Sequence, residues 1–159
     1  MATRIRPATA DDVEAVAAIW TPGWRDGHLG HVPDELLEHR GLGAFRERAA
    51  QKVGRTRVAE VDGVIVGFTI LDGDEVDQLY VDASARGTGI AAQLLAEAAA
   101  ELRASGTDVP WLAVATGNAR ARHFYEREGW SDAGEFSYPA ETGPDSHVLV
   151  SCHRMELRG

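Results

Sequence analysis

A single cysteine, Cys152, excludes an internal disulfide and suits a reducing cytoplasm. No apolar run is long enough to span a bilayer, and Met1-Ala2-Thr3-Arg4-Ile5-Arg6-Pro7 lacks the apolar core of a secretory signal. A cytoplasmic location is therefore expected. Basic residues are scarce: 16 Lys and Arg stand against 25 Asp and Glu, a net charge of -9. Phosphate backbones need a basic face, so nucleic acid is not an expected partner, and without an apolar span neither is a membrane. A cationic substrate would be steered favourably by the overall field. Repeats, low-complexity tracts and dividing linkers are also missing, and 159 residues suit one domain covering 1–159.

What is present is a mixed order of helical and strand patterns. Thr3 to Pro7 reads as a short strand. Thr9 caps a helix with Asp12 three positions on, and Val13, Val16, Ala17 and Trp20 recur on one face. Pro22-Gly23 is expected to end that helix and leave Trp24 to Val32 as a loop. Pro33-Asp34 opens a second helical segment through Leu36 and Leu37, interrupted by Gly41 and Gly43, that reaches Lys52.

Arg55 to Val61, the turn Asp62-Gly63, and Val64 to Leu71 make a hairpin. Asp72-Gly73 is a second turn and Glu75 to Val81 a third strand. A helix from about Thr88 to Ala104 buries Ile90, Leu94, Ala98 and Leu102 before Gly106 stops it. Trp111 to Ala115 is a short buried strand, and Asn118 caps a helix ending at Gly129. Two late strands, Trp130 to Tyr138 and His147 to Leu157, flank the turn-rich Pro139 to Pro144. The class is α/β.

Arg86-Gly87-Thr88-Gly89 opens a helix, and glycines there leave backbone N–H groups bare. Three readings compete. The first is a plain turn. The second is a dinucleotide loop, because Gly87-Thr88-Gly89-Ile90-Ala91-Ala92 matches G-x-G-x-x-G/A. The third is a different pyrophosphate cradle, where N–H groups and the helix dipole hold an anion. A dinucleotide loop should follow its strand directly, with an acidic residue closing the next strand. Here Asp82-Ala83-Ser84-Ala85 intervene, and Asp108 precedes the next strand. No Gly-Lys-Ser/Thr follows either, which excludes a Walker loop.

Leu79-Tyr80-Val81 followed by Arg86-Gly87-Thr88-Gly89-Ile90-Ala91 resembles the Q/R-x-x-G-x-G/A motif of the GCN5-related N-acetyltransferase (GNAT) superfamily. Asn118 to Trp130, with its Asn cap, Phe124-Tyr125 pair and Gly129-Trp130 stop, resembles that family's second signature. The resemblance covers nearly the whole chain. Ala83 stands where the family often has proline, and Ala91 replaces the last glycine.

The resemblance implies a single-domain fold with a mixed, mostly antiparallel sheet flanked by helices. It implies acetyl-CoA as co-substrate and direct transfer to a primary amine of a small molecule or peptide in a ternary complex. Leu79, Tyr80 and Val81 would face the pantetheine arm, with Val81 N–H an oxyanion donor. Arg86, Gly87, Thr88, Gly89, Ile90 and Ala91 would hold the pyrophosphate, and Asn118 would cap its helix and touch the cofactor. Tyr125 resembles the tyrosine that protonates the departing thiolate. Glu75, eleven positions before Arg86, stands where some members keep a glutamate base. Asp77 and a water chain remain alternatives.

Trp24, Asp26 and His28, with Arg25 and His31 beside them, are candidates for the acceptor pocket. His28, His31 and His39 lack the spacing of a ligand set, so no metal is expected. Cys152 reads as a buried inert thiol. A non-catalytic acyl-CoA sensor and an NAD-dependent oxidoreductase are the rival functions. Homodimers are common in the superfamily, but no residue here points to one.

Overall fold

Tight turns and alternating apolar residues build the first half of the sheet. In the computed structural model, which describes residues 2–159, β1 (Thr3–Pro7), β2 (Thr56–Val61), β3 (Val64–Asp72) and β4 (Glu75–Val81) lie side by side, each antiparallel to its neighbour. Asp62 and Gly63 both adopt positive φ, 53° and 78°, which matches the twist a two-residue hairpin needs. The second turn falls on Gly73-Asp74, because Asp72 stays paired with Glu75. The expectation of Asp72-Gly73 was one residue early.

β5 (Trp111–Ala115), β7 (Ser146–Glu156) and β6 (Ser131–Gly143) complete a seven-stranded sheet in the order β1-β2-β3-β4-β5-β7-β6. β6 runs through the turn-rich stretch from Pro139, which pairs with Leu149. β6 is an edge strand, where a residue without an N–H is tolerated. Among the described residues, only β4 and β5 pair in parallel.

α1 (Val13–His28) and α2 (Leu42–Gln51) cover one face, packing Val16, Ala17, Trp20, Trp24 and Phe45 against Val58, Phe68 and Ile70. α3 (Ile90–Ala104) and α4 (Ala119–Arg127) cover the other, where Leu95, Ala98 and Leu102 meet Leu112, Val114 and Met155. Pro22 does not end α1, and the segment from Trp24 to His28, expected as loop, is helical. Trp24 continues the buried stripe of Val16 and Trp20, with its ring centroid 6.3 Å from that of Phe45. That burial outweighs the local break. The helix also needs its glycines: a Cβ at Gly23 would sit 2.6 Å from the Tyr80 ring, and one at Gly27 2.7 Å from the Asn118 amide.

Candidate active site

β4 and β5 touch at one register pair, Glu75 with Trp111, and diverge beyond it. The apex is fastened by Trp111, whose backbone N–H donates to the Asp74 carbonyl at 3.3 Å and whose indole Nε1–H donates to Asp74 Oδ1 at 2.8 Å. On the other side of β4, the Asp82 N–H donates to the Val66 carbonyl of β3 at 2.8 Å. Backbone groups alternate along a strand, so those of Tyr80 also face β3, while those of Leu79 and Val81 face the gap. The gap opens into a cleft of about 1070 Å³ lined by both strands, the Arg86–Ala92 turn, α4 and α1.

The turn after β4 is held by its own polar groups. Asp82 accepts from the Ser84 N–H at 3.0 Å, and the Thr88 hydroxyl donates to the Ala85 carbonyl. Gly87 and Gly89 take φ of 77° and 84°, the left-handed region that favours glycine, and a Cβ on either would meet open space. The first amide of α3 to find an acceptor is Gln93, which donates to Gly89. Among the described residues, the N–H groups from Gly87 to Ala92 have no protein acceptor, those from Gly89 onward because they begin a helix. A row of bare amides at a positive dipole end fits a pyrophosphate. Arg86 departs from its expected place in the row: its N–H donates to the Ala83 carbonyl at 3.3 Å, and its side chain pairs with Asp26 at 2.8 Å.

At the apex stands an acidic cluster. The Tyr138 hydroxyl donates to Glu75 Oε2 at 2.8 Å and lies 3.5 Å from Asp77 Oδ1. Asp77 occupies a bulge, the extra residue where the β3–β4 register shifts. Its other oxygen is 3.7 Å from Lys52 Nζ, which also approaches Glu141 at 3.8 Å. Burial, and next the negative charge of Asp77, push the Glu75 carboxyl up to about 7. Burial raises Asp77 as well, against the pull of Lys52.

On α4, the Asn118 side chain accepts the Ala121 N–H at 3.2 Å and caps the helix. Tyr125 stacks edge-on with Phe124 at 5.3 Å, and burial pushes its phenol up to about 12. Burial and then Tyr125 raise the Tyr80 phenol also. Across the cleft, the Trp24 and His28 rings stack at 4.7 Å, and His28 Nδ1 meets the Trp24 carbonyl at 2.8 Å. Burial lowers His28 to about 4, so its ring is neutral and that contact is a donated N–H. Cys152 lines the same cleft from β7, its thiol raised to about 12 by burial.

Residues 13–130 match the Acetyltransferase (GNAT) family. The chain belongs to this acetyltransferase family. A blasticidin-S acetyltransferase of Streptomyces morookaense is 37% identical over 120 residues, 72% of this chain and 79% of that protein. PaiA N-acetyltransferase of Thermoplasma acidophilum, solved with coenzyme A, has a TM-score of 0.76 over 100% of both chains at 20% identity. YncA of Salmonella typhimurium, solved with its cofactor acetyl-CoA, has a TM-score of 0.72 at 19% identity, covering 99% of this chain and 94% of that one. Likeness at these identities is one of fold. Acetyl-CoA is the co-substrate that family membership implies.

In this acetyltransferase the cleft gathers Glu75, Leu79, Tyr80, Val81, the Arg86–Ala91 turn, Asn118, Tyr125, Trp24, Asp26 and His28, all but Thr88 as lining residues. Sequence reasoning missed Arg40, Arg48, Lys52 and Tyr138. Lys52, the only lysine, carried no motif, and Tyr138 reaches Glu75 from the edge strand β6, 63 positions away along the chain.

Proposed function

We propose that this acetyltransferase moves the acetyl group of acetyl-CoA to a primary amine of a small molecule or peptide, by direct attack in a ternary complex. One observation carries the proposal: a single cleft runs from the bare amides of Gly87 to Ala92, past the β4–β5 gap, to the Glu75 carboxyl. The relative named for blasticidin S supports a small-molecule acceptor.

The turn amides hold the pyrophosphate, and the bound co-substrate supplies an activated thioester. The gap-facing N–H of Val81 is placed to stabilise the oxyanion that forms on the acetyl carbonyl. Leu79 and Tyr80 shape the passage. An alkyl amine has a pKa of about 10.4 in water and must lose a proton before attack. Glu75, titrating near 7, is matched to accept it. Tyr125 keeps its proton to about pH 12 and donates toward the leaving sulfur. Asn118 fixes the start of the helix that carries Tyr125. Trp24 and His28 wall the acceptor side, and Asp26 ties α1 to the turn through Arg86.

Thermal unfolding with acetyl-CoA or NAD, followed by thiol release over an amine panel, tests this. Ligand at a hundred times its Kd adds about 2.7 kcal/mol, a shift of several degrees expected with acetyl-CoA alone. No shift would remove the cradle. A shift with no thiol release from any amine would identify a sensor instead.

A further inference from the structure

The acceptor half of the cleft holds two guanidinium groups that none of its carboxylates contacts. Lys52 is taken up between Asp77 and Glu141. Arg40 and Arg48 have no such partner. Arg40 is 4% exposed, donates one Nη to the His39 carbonyl at 3.0 Å, and has a buried Nε with no acceptor. The Nε of Arg48 is also buried and unpartnered. Among the described residues, neither guanidinium has a carboxylate within 4.0 Å. Each stands over an aromatic ring, Arg40 Cζ 5.9 Å from the Trp24 centroid and Arg48 Cζ 4.7 Å from that of Trp20. Burial, then the neighbouring Arg48, pull Arg40 down to about 10 against the weaker attraction of Glu141, Tyr80 and Asp77. Both line the cleft that Glu75, Asp77 and Tyr138 line.

A buried guanidinium without a counter-ion, as at Arg40, is strongly unfavourable, and repulsion from the half-buried Arg48 adds to that. Aromatic faces offset only part of that. The nearby acids attract them only from beyond ion-pair range: Glu141 and Asp77 act on Arg40 and Arg48 acts on Asp77, while the cation nearest Asp77 is Lys52 and Glu75 is engaged by Tyr138. An external anion would complete the arrangement. The fork of a guanidinium matches a carboxylate, which it can bind through two parallel N–H bonds. The acids at the apex suit a cationic amine and disfavour an anion of higher charge.

We propose that the acceptor is an amino-acid-like zwitterion, its carboxylate docked on Arg40 and Arg48 and its primary amine directed to Glu75 and the β4–β5 gap. The direction of the amine rests on the acetyl-transfer reading; the anion site does not.

Calorimetric titration tests the site without turnover. With coenzyme A saturating, the common α-amino acids are each titrated as free acid and as carboxamide. At least one free acid should bind ten times more tightly than its carboxamide. Arg48→Gln should reduce that ratio below threefold while the thermal shift with acetyl-CoA stays unchanged, which shows an intact fold and cradle. Arg40→Gln serves as a second variant with the same expected loss. In thiol-release assays of the preferred acid, Arg48→Gln should raise KM about tenfold with little change in kcat. The proposal is overturned if acids and carboxamides bind alike, if no acid binds, or if the preference survives Arg48→Gln. Binding preference without thiol release would sink the acetyl-transfer reading and leave the anion site standing.

Discussion

At the α3 end of the cleft the polar groups on offer are backbone amides, set by two positive-φ glycines in one short stretch of chain. At the α2 end they are side chains, Arg40, Arg48, Glu75, Asp77 and Tyr138, with Lys52 against Asp77, brought together from distant segments and largely buried. A backbone cradle depends on φ and on the helix dipole, so it accepts many side chains and recognises a common feature such as pyrophosphate. A buried side-chain cluster depends on each member, because every charge left alone carries its full desolvation penalty. The first design suits a ligand shared across a family. The second suits a ligand particular to one member.

The hardest test of that contrast is Glu75→Gln. General-base catalysis contributes about 10²–10⁴-fold, so kcat should fall by that order, and the rise of rate with pH near 7 should vanish. The affinity for acetyl-CoA, measured by calorimetry, should not move. A matching loss of acetyl-CoA binding would join the two ends that the structure keeps distinct.

Gly89→Ala attacks the other end. Left-handed backbone costs an L-residue about 1–2 kcal/mol, so the Kd for acetyl-CoA should rise about tenfold. Rates at saturating acetyl-CoA should change far less. Equal damage to kcat and Kd would count against a cradle that only binds.

The acidic cluster should also show in stability. Glu75 titrates at about 7 in the native state against 4.5 as its ordinary value, so between those pH values the folded chain binds more protons than the unfolded one. Stability must then fall as pH rises through the window. Urea midpoints from pH 4 to 8 should show that decline, and Glu75→Gln should flatten it. An unchanged slope in the variant would mean that Glu75 is solvated.

Asn118→Ala removes one cap, worth about 1 kcal/mol, and should lower Tm by about 2–4 °C in a scan. The smallest effect is expected from Asp26→Asn. Its pair with Arg86 is largely exposed, 59% and 44% by side chain, so stability should change by less than about 0.5 kcal/mol. A larger loss would show that the pair holds the cleft together.

Legibility followed the same division. The hairpin around Asp62-Gly63, the strand Glu75–Val81 and the cap at Asn118 stand where turn chemistry and capping place them. Local backbone geometry is written in local residues, so the turn from Arg86 to Ala91 was readable in outline. Even there, the Arg86 amide turned inward to Ala83. The end of α1 was misplaced because Trp24 gains burial that no local rule at Pro22 anticipates.

By itself the sequence determined the α/β class, the order of most elements and the family motifs, because these depend on periodicity, turns and caps between near neighbours. Only the tertiary structure decided that β4 and β5 part beyond Glu75, that Tyr138 crosses to that carboxyl, and that Arg40 and Arg48 share one cleft with no carboxylate in contact. Those are long-range matters. A charge is costly or useful according to what surrounds it, and its surroundings arrive from elsewhere in the chain.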